Sequence, residues 1–393
     1  MKNLFCSLAL SSFLLACQSN PVQLTPNVSA HNNFYLDEQF SSPNTFKLET
    51  EEEIFALDDE MRSMVHEKLL NHLTAQQKAR ILLEHLFDEE NIALSYDGNA
   101  NVTARQAYHS KSANCMSLTI MAYALAKEAG MNISFQDVDV PEYWVSNGSY
   151  SLLTGHVNLL VKESTGINRR VVWGEKATQI DFDPFVSKKD FPSRVIKKHT
   201  LLAMFYNNKG AEALVNNNFY EAYQYIKEAT KTDPLFSAAW GNLGVLYKLN
   251  GHLVMAEAAY RQAISLNKDN LNVLGNLALL YSKQGRIDEA KPIEQYLHKQ
   301  RIKNPYYHAL LGNEAFLKRA YKQAIKHYKK AIQLDDEQHE FYFGLAKSYY
   351  KMNNVVLAKK SLTKAVSLTK AKDTQRQYIA KLNFLKHRQL SSF

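Results

Sequence analysis

Cysteine is scarce. The chain has three, Cys6, Cys17 and Cys115, too few for a scaffold stapled by several disulfides. Its apolar runs all fall short of the about 20 residues that a membrane-spanning helix needs. The sequence has no glycine-rich loop that would cradle phosphate, no nucleotide fingerprint and no His/Cys/Asp/Glu cluster at metal-ligand spacing. No cofactor and no metal are therefore expected. His66, His72 and His85 stand singly in helical patterns and read as structural or solvated, and no loop has the oxygen-ligand density that calcium demands. Proline (9) and glycine (14) are too sparse for a low-complexity chain, while 46% hydrophobic and 22% charged residues are proportions of a globular one. At 393 residues, two or three domains are expected.

What is present begins at the N-terminus. Lys2 precedes a short apolar run, Leu4 to Leu15, that ends in Leu14-Leu15-Ala16-Cys17. This reads as a secretory signal, and the pattern resembles the lipobox of bacterial lipoproteins. The resemblance implies a signal peptide over 1–16 and an acylated Cys17, with palmitate or a similar chain holding the protein to the membrane. Gln18, in place of Asp, leans toward the outer membrane, facing the periplasm. The alternative is an ordinary signal peptide with a cysteine near its cleavage site. Residues 17–46, rich in Asn, Ser, Pro and Gln without periodicity, are expected to form a flexible tether. Cys115 is then the lone thiol in an oxidising compartment, a liability unless it has chemistry to do or is buried and inert.

Charge is unevenly spread. Residues 1–202 carry a net −6 and residues 203–393 a net +14. The basic half suits an acidic or anionic partner such as headgroups, polyanionic sugar or acidic protein. Nucleic acid is not expected of an exported chain.

Between 47 and 198 the pattern mixes helix and strand. Met61, Val65, Leu69, Leu70 and Leu73, then Ile81, Leu82 and Leu86, recur at helical spacing and predict two amphipathic helices. Cys115 opens a helix-forming run that stops at Gly130. At such a position backbone N–H groups and the helix dipole favour a thiolate. Ile133–Val140 and His156–Val161 alternate as strands, and Arg169–Trp173 with Ala177–Phe182 reads as a hairpin around Gly174.

The motifs Asn114-Cys115-Met116-Ser117-Leu118, Gly155-His156-Val157-Asn158-Leu159-Leu160-Val161 and Ile180-Asp181-Phe182 follow one another in that order. With the Val140-Pro141 segment before the histidine, this part of the chain resembles the transglutaminase-like superfamily, whose α+β fold is related to papain. The resemblance covers roughly residues 50–195 and implies a catalytic triad. Cys115 would be the nucleophile, His156 the proton carrier and Asp181 the group that orients the imidazole, with Asp183 a rival on the same strand face. The Cys115 N–H is a candidate oxyanion donor. A structural His, a turn Asp and a packed Cys remain the plain alternative for each residue taken alone.

From residue 203 a period of 34 residues runs without drift. Position 8 reads Gly210, Gly244, Ala278, Gly312, Ala346, and position 20 reads Ala222, Ala256, Ala290, Ala324, Ala358. The chain here resembles the tetratricopeptide repeat, an all-α superhelix, in five units: 203–236, 237–270, 271–304, 305–338 and 339–372. Pro292 and Leu297 make the third unit the least regular. Residues 373–393 are expected to cap the stack through Tyr378, Ile379, Leu382 and Leu385. The resemblance implies a groove for a peptide or protein, to which Asn242, Asn276 and Asn313 are candidate contacts.

Two function classes stay open. One is a lipid-anchored thiol enzyme of the amidohydrolase, peptidase or acyltransferase type, its substrate docked by the repeats. The other is a non-catalytic scaffold that recruits protein partners to the membrane.

Overall fold

A computed structural model describes residues 34–41, 46–71, 74–88, 92, 94–98, 100–147, 150–162, 177–182, 191–369 and 372–390. The lipobox with Cys17, the 169–176 arm of the expected hairpin and Asp183 lie outside the described residues. The first unit holds α1 (Glu51–Ile54), α2 (Asp59–Lys68), α3 (Ala75–Phe87), β1 (Ser95–Tyr96), α4 (Ala104–Ser110), β2 (Ser112–Ala113), α5 (Cys115–Glu128), β3 (Asn132–Asn147), β4 (Tyr150–Lys162), β5 (Ala177–Ile180) and β6 (Ser193–Ile196). The apolar pattern before residue 88 falls on α2 and α3, the two helices expected, and the single turn α1 is an addition ahead of them. Thr50, Asp58 and Thr74 each cap one, and the chain breaks after Leu69.

Helix α5 is the core of this unit. Residues Leu118, Ile120, Met121, Ala122, Leu125 and Ala126 are fully buried, so the helix is apolar nearly all round. It packs on an antiparallel sheet of order β5-β4-β3-β6. Ile133, Phe135, Val157, Leu159, Val161 and Ile180 form the sheet's core side. Strand β3 is longer than its alternation predicted. It bulges between Val138 and Tyr143, around Pro141, and continues as an arm paired with the first half of β4. His156 therefore lies mid-strand, opposite Val138 at the root of that arm, and not at a strand head.

The second unit is a run of helical hairpins: α6 (Lys198–Val215) with α7 (Phe219–Thr232), α8 (Ser237–Leu249) with α9 (Leu253–Leu266), α10 (Leu271–Lys283) with α11 (Ile287–Arg301), α12 (Pro305–Leu317) with α13 (Tyr321–Leu334), and α14 (His339–Lys351) with α15 (Val355–Leu368). The small residues sit where paired helices cross. A Cβ on Gly244 would stand 2.5 Å from the Tyr260 ring, and one on Gly312 would stand 3.0 Å from the Tyr328 ring. Ala222, Ala256, Ala324 and Ala358 are wholly buried at the other crossing position. Trp240, Tyr247, Tyr260, Tyr281 and Tyr328 fill the space that the small residues leave. Helix α16 (Lys372–Leu390) caps the stack through Tyr378, Leu382 and Leu385, whereas Ile379, expected on that face, is 40% exposed.

The units share a hydrophobic core, into which α6 and α7 place Leu201, Phe205 and Ala229, and two further connections join them. The arm of β3 reaches the repeats: Arg301 grips the Glu142 carboxylate at 2.6 and 2.7 Å, and Asn304 donates to the Glu142 carbonyl at 2.7 Å. The second connection corrects the tether reading of 17–46 for residues 34–40 and 46. Phe40 is buried and stacks on Tyr223, Phe34 meets Trp240 edge-on, and Asp37 accepts from Tyr223 and pairs with Lys227. Tyr247 donates to the Phe34 carbonyl. Further on, Phe46 and Glu49 engage Tyr225 on α7. This stretch is a strap wrapped around α7, held by aromatic burial that a count of polar residues does not register.

Candidate active site

The cysteine is fixed by its cap. Asn114 Oδ1 accepts from the Ser117 N–H at 2.9 Å and closes the first turn of α5, which makes Cys115 the first helical residue. Ser117, fully buried, ties that turn to the preceding loop: its hydroxyl accepts from Val102 N at 2.8 Å and donates to the Ala100 carbonyl at 3.2 Å. One turn beyond Cys115, on the same helix face, Thr119 donates to the Val157 carbonyl at 3.2 Å. That bond sets the cysteine's face of the helix against β4 beside His156.

His156 and Asp181 complete the arrangement. The strand alternation that sends Val157 and Leu159 into the core places His156 and Asn158 together on the other side of β4. Asp181 follows β5 directly, next to Ile180, which pairs with Leu159. The His156 Nε2 lies 2.8 and 2.9 Å from the two Asp181 oxygens, and both side chains are almost wholly buried, 2% and 4% exposed. Asn158 donates to Asp181 Oδ2 at 3.0 Å and Gln179 reaches the same oxygen at 3.4 Å. The second partner of the imidazole is the Cys115 thiol. With Nε2 committed to the carboxylate, Nδ1 is the nitrogen left for the sulfur.

Burial alone would push the His156 imidazole down. The hydrogen bond to Asp181, the contact with Cys115 and the charge of the carboxylate outweigh it and raise the group to about 10. The ring is thus cationic at neutral pH. Cys115 itself is half-buried and free of any disulfide.

The three residue types singled out as a triad are therefore brought together, with Asp181 in the orienting place. Asn158 and Gln179 had no assigned role in the sequence. The two-residue step from His156 to Asn158 along an alternating strand is the signal that could have placed the first of them. The asparagines proposed for the repeat groove are partly committed elsewhere. Asn242 donates to Asn207 at 2.8 Å and Asn313 accepts from Tyr328 at 2.6 Å, both within the stack, and Asn276 is half-buried. Among the described residues no group of three His, Cys, Asp or Glu could hold a metal ion, and no helix is long and apolar enough to cross a membrane.

Models of the tetratricopeptide repeat match residues 237–270, 259–291 and 339–372, and a TPR-repeat model matches 312–353. These stretches are tetratricopeptide repeats. The chain is similar to Protein POLLENLESS 3-LIKE 2 of Arabidopsis thaliana, 51% identical over 51 residues, 13% of this chain and 12% of that protein. It is also similar to Tetratricopeptide repeat protein 8 of Caenorhabditis elegans, 35% identical over 66 residues, 17% of this chain and 13% of that one. The chain spans at most 19% of the length of the curated relatives it matches. Among solved structures, Pseudomonas aeruginosa pilF covers 49% of this chain and 93% of its own at 19% identity, with a TM-score of 0.32. Repeats of this class are scaffolds for protein and peptide partners, and this stack provides one.

Proposed function

We propose that the chain is an envelope lipoprotein whose transglutaminase-like unit, residues 47–198, cleaves or transfers an amide or acyl bond of a peptide or protein docked by the repeats. The observation that carries this reading is the His156 ring held between the Asp181 carboxylate and the Cys115 sulfur.

The chemistry follows from the placement. The proton shared by the pair rests on His156 Nδ1, and the Cys115 sulfur forms a bond to the substrate carbonyl carbon. The carbonyl oxygen takes up the charge at the start of α5, where the first helical N–H groups have no partner inside the helix; the Cys115 N–H is the candidate donor. As the carbonyl re-forms, the carbon–nitrogen or carbon–oxygen bond breaks and His156 returns the proton to the leaving group. The thioester is then resolved by water or by an amine, which separates hydrolysis from transfer. Asp181 holds the imidazole in place and stabilises its cation.

The test is the rate at which Cys115 reacts with iodoacetamide at pH 7. The native thiol is expected to react well above the rate of a free cysteine, and His156→Ala is expected to slow it about 100-fold, the lower end of what a positioned proton carrier contributes. A native rate equal to that of free cysteine, unchanged by His156→Ala, would overturn the enzyme reading. The anchoring part is tested separately: Cys17→Ser should move the protein from the membrane to the soluble fraction of the cell.

The repeats favour a second reading, a scaffold without catalysis. Partner capture that survives Cys115→Ala, together with a slow native thiol, would select it.

A further inference from the structure

Two buried amides beside the triad have atoms with nothing to bond. Asn158 is fully buried and its Oδ1 has no partner among the described residues; Gln136 is 8% exposed and its Oε1 has none either. Each such oxygen, left dry and unpaired, carries its full desolvation cost. The two residues sit directly opposite each other in the β3–β4 ladder, so they share one face of the sheet with Cβ atoms about 5 Å apart. That is the reach of one hydrogen bond between amides.

The bond that fixes Gln136 allows the repair. Its amide meets the Ser193 hydroxyl on β6 at 3.2 Å. A hydroxyl donates as readily as it accepts, so the Gln136 amide can be turned over without losing this contact. Ser193 then donates to Gln136 Oε1, and Gln136 Nε2 points at Asn158 Oδ1. Both orphan oxygens are satisfied by a single reorientation. Asn158 in turn keeps its Nδ2 on Asp181 at 3.0 Å.

We propose that Gln136 and Asn158 form a buried amide relay, anchored at its outer end by the exposed Ser193, that crosses the sheet and locks the Asp181 carboxylate flat against His156 Nε2. Asn158 and Gln136 are thus positioning residues, neither touching substrate. The relay explains why both Asp181 oxygens stay within 2.9 Å of one ring nitrogen: the Asn158 N–H stops the carboxylate from rotating away. Its catalytic meaning rests on the thiol-enzyme reading, but its existence does not.

The experiment follows the His156 ring by NMR titration in the full chain, beside the iodoacetamide rate of Cys115. Asn158→Ala frees the carboxylate and is expected to lower the His156 midpoint by about one pH unit, the worth of one hydrogen bond to a charged group, and to slow Cys115 about tenfold. Gln136→Met removes the donor to Asn158 without adding charge. It should move both readouts the same way, by about threefold in rate. The double variant Asn158→Ala/Gln136→Met should be no worse than Asn158→Ala alone, because the two act through one chain of bonds. An unchanged midpoint in Asn158→Ala, or effects of the two substitutions that add in full, would overturn the relay. Should Asn158→Ala fail to fold, the Gln136→Met midpoint decides. A slow, His156-independent thiol would sink the enzyme reading alone, since the ring titration reports the relay without any catalysis. A fast, His156-dependent thiol with unmoved midpoints would sink the relay alone.

Discussion

The two halves of this chain solve burial in opposite ways. The repeats are ordered chiefly by apolar and aromatic contact: small residues at the helix crossings, large aromatics in the gaps, and the pattern repeated every 34 residues, with buried polar groups such as Asn207, Asp233 and Ser348 scattered singly through the stack. The α+β unit buries a histidine, a carboxylate, an asparagine, a glutamine and a serine hydroxyl around one cysteine. A stack whose energy comes from repeated apolar contact loses little when any one polar group is removed. A buried polar cluster gains or loses with each hydrogen bond, because an unpaired group in a dry site carries its full desolvation cost. Stability is thus expected to be concentrated in the repeats and chemistry in the sheet.

The sharpest way to break this contrast is Tyr260→Ala. The ring is fully buried against Gly244, and its loss should destabilise the repeats by about 3–5 kcal/mol in a thermal or urea melt while leaving the Cys115 alkylation rate unchanged. A large change in that rate would mean that the halves are not separable. Next comes the strap. Phe40→Ala should cost about 3 kcal/mol and expose the Tyr223 and Tyr247 surface, read as new binding of a hydrophobic dye.

The third test uses pH. Since His156 is raised in the fold from its ordinary value near 6.5 to about 10, the stability it brings is complete below pH 6.5 and is lost as the pH climbs toward 10. The melting-temperature gap between the native protein and Asp181→Asn should therefore be widest near pH 6 and close by about pH 10. A gap that widens with pH would contradict the assigned pairing. The smallest effect sharpens the comparison from the other side. The Tyr260 hydroxyl is buried without a partner among the described residues, so Tyr260→Phe should be neutral or stabilise by up to about 1 kcal/mol.

Much of this was legible in the sequence because it is carried by residue type at a fixed spacing. The repeats declared themselves through Gly244, Ala256 and Ala263, whose smallness has one geometric cause. Cys115, His156 and Asp181 were legible as residues suited to one reaction in a plausible order of elements. What escaped depends on contacts between distant segments. Gln136 looks like any polar residue in a strand until the β3–β4 register sets it opposite Asn158. The extension of β3 past Pro141 was hidden because a bulge interrupts the two-residue period. Ile379 was placed on the buried face of the cap by spacing alone, whereas it is 40% exposed beside the buried Tyr378 and Leu382. The strap was missed for a related reason: five residues with an aromatic or acidic tip, Phe34, Tyr35, Asp37, Phe40 and Phe46, are scattered through a stretch whose average composition is that of a linker.

That strap has a practical corollary. A recombinant fragment started at residue 47, the natural choice if everything before it is treated as dispensable, would strip the aromatic cover from α7 and α8 and leave Tyr223, Trp240 and Tyr247 facing water. Such a fragment would tend to self-associate and to take up apolar ligands on the bared aromatic surface. Ligands fished out with a shortened repeat domain should be checked against a version that begins no later than Phe34.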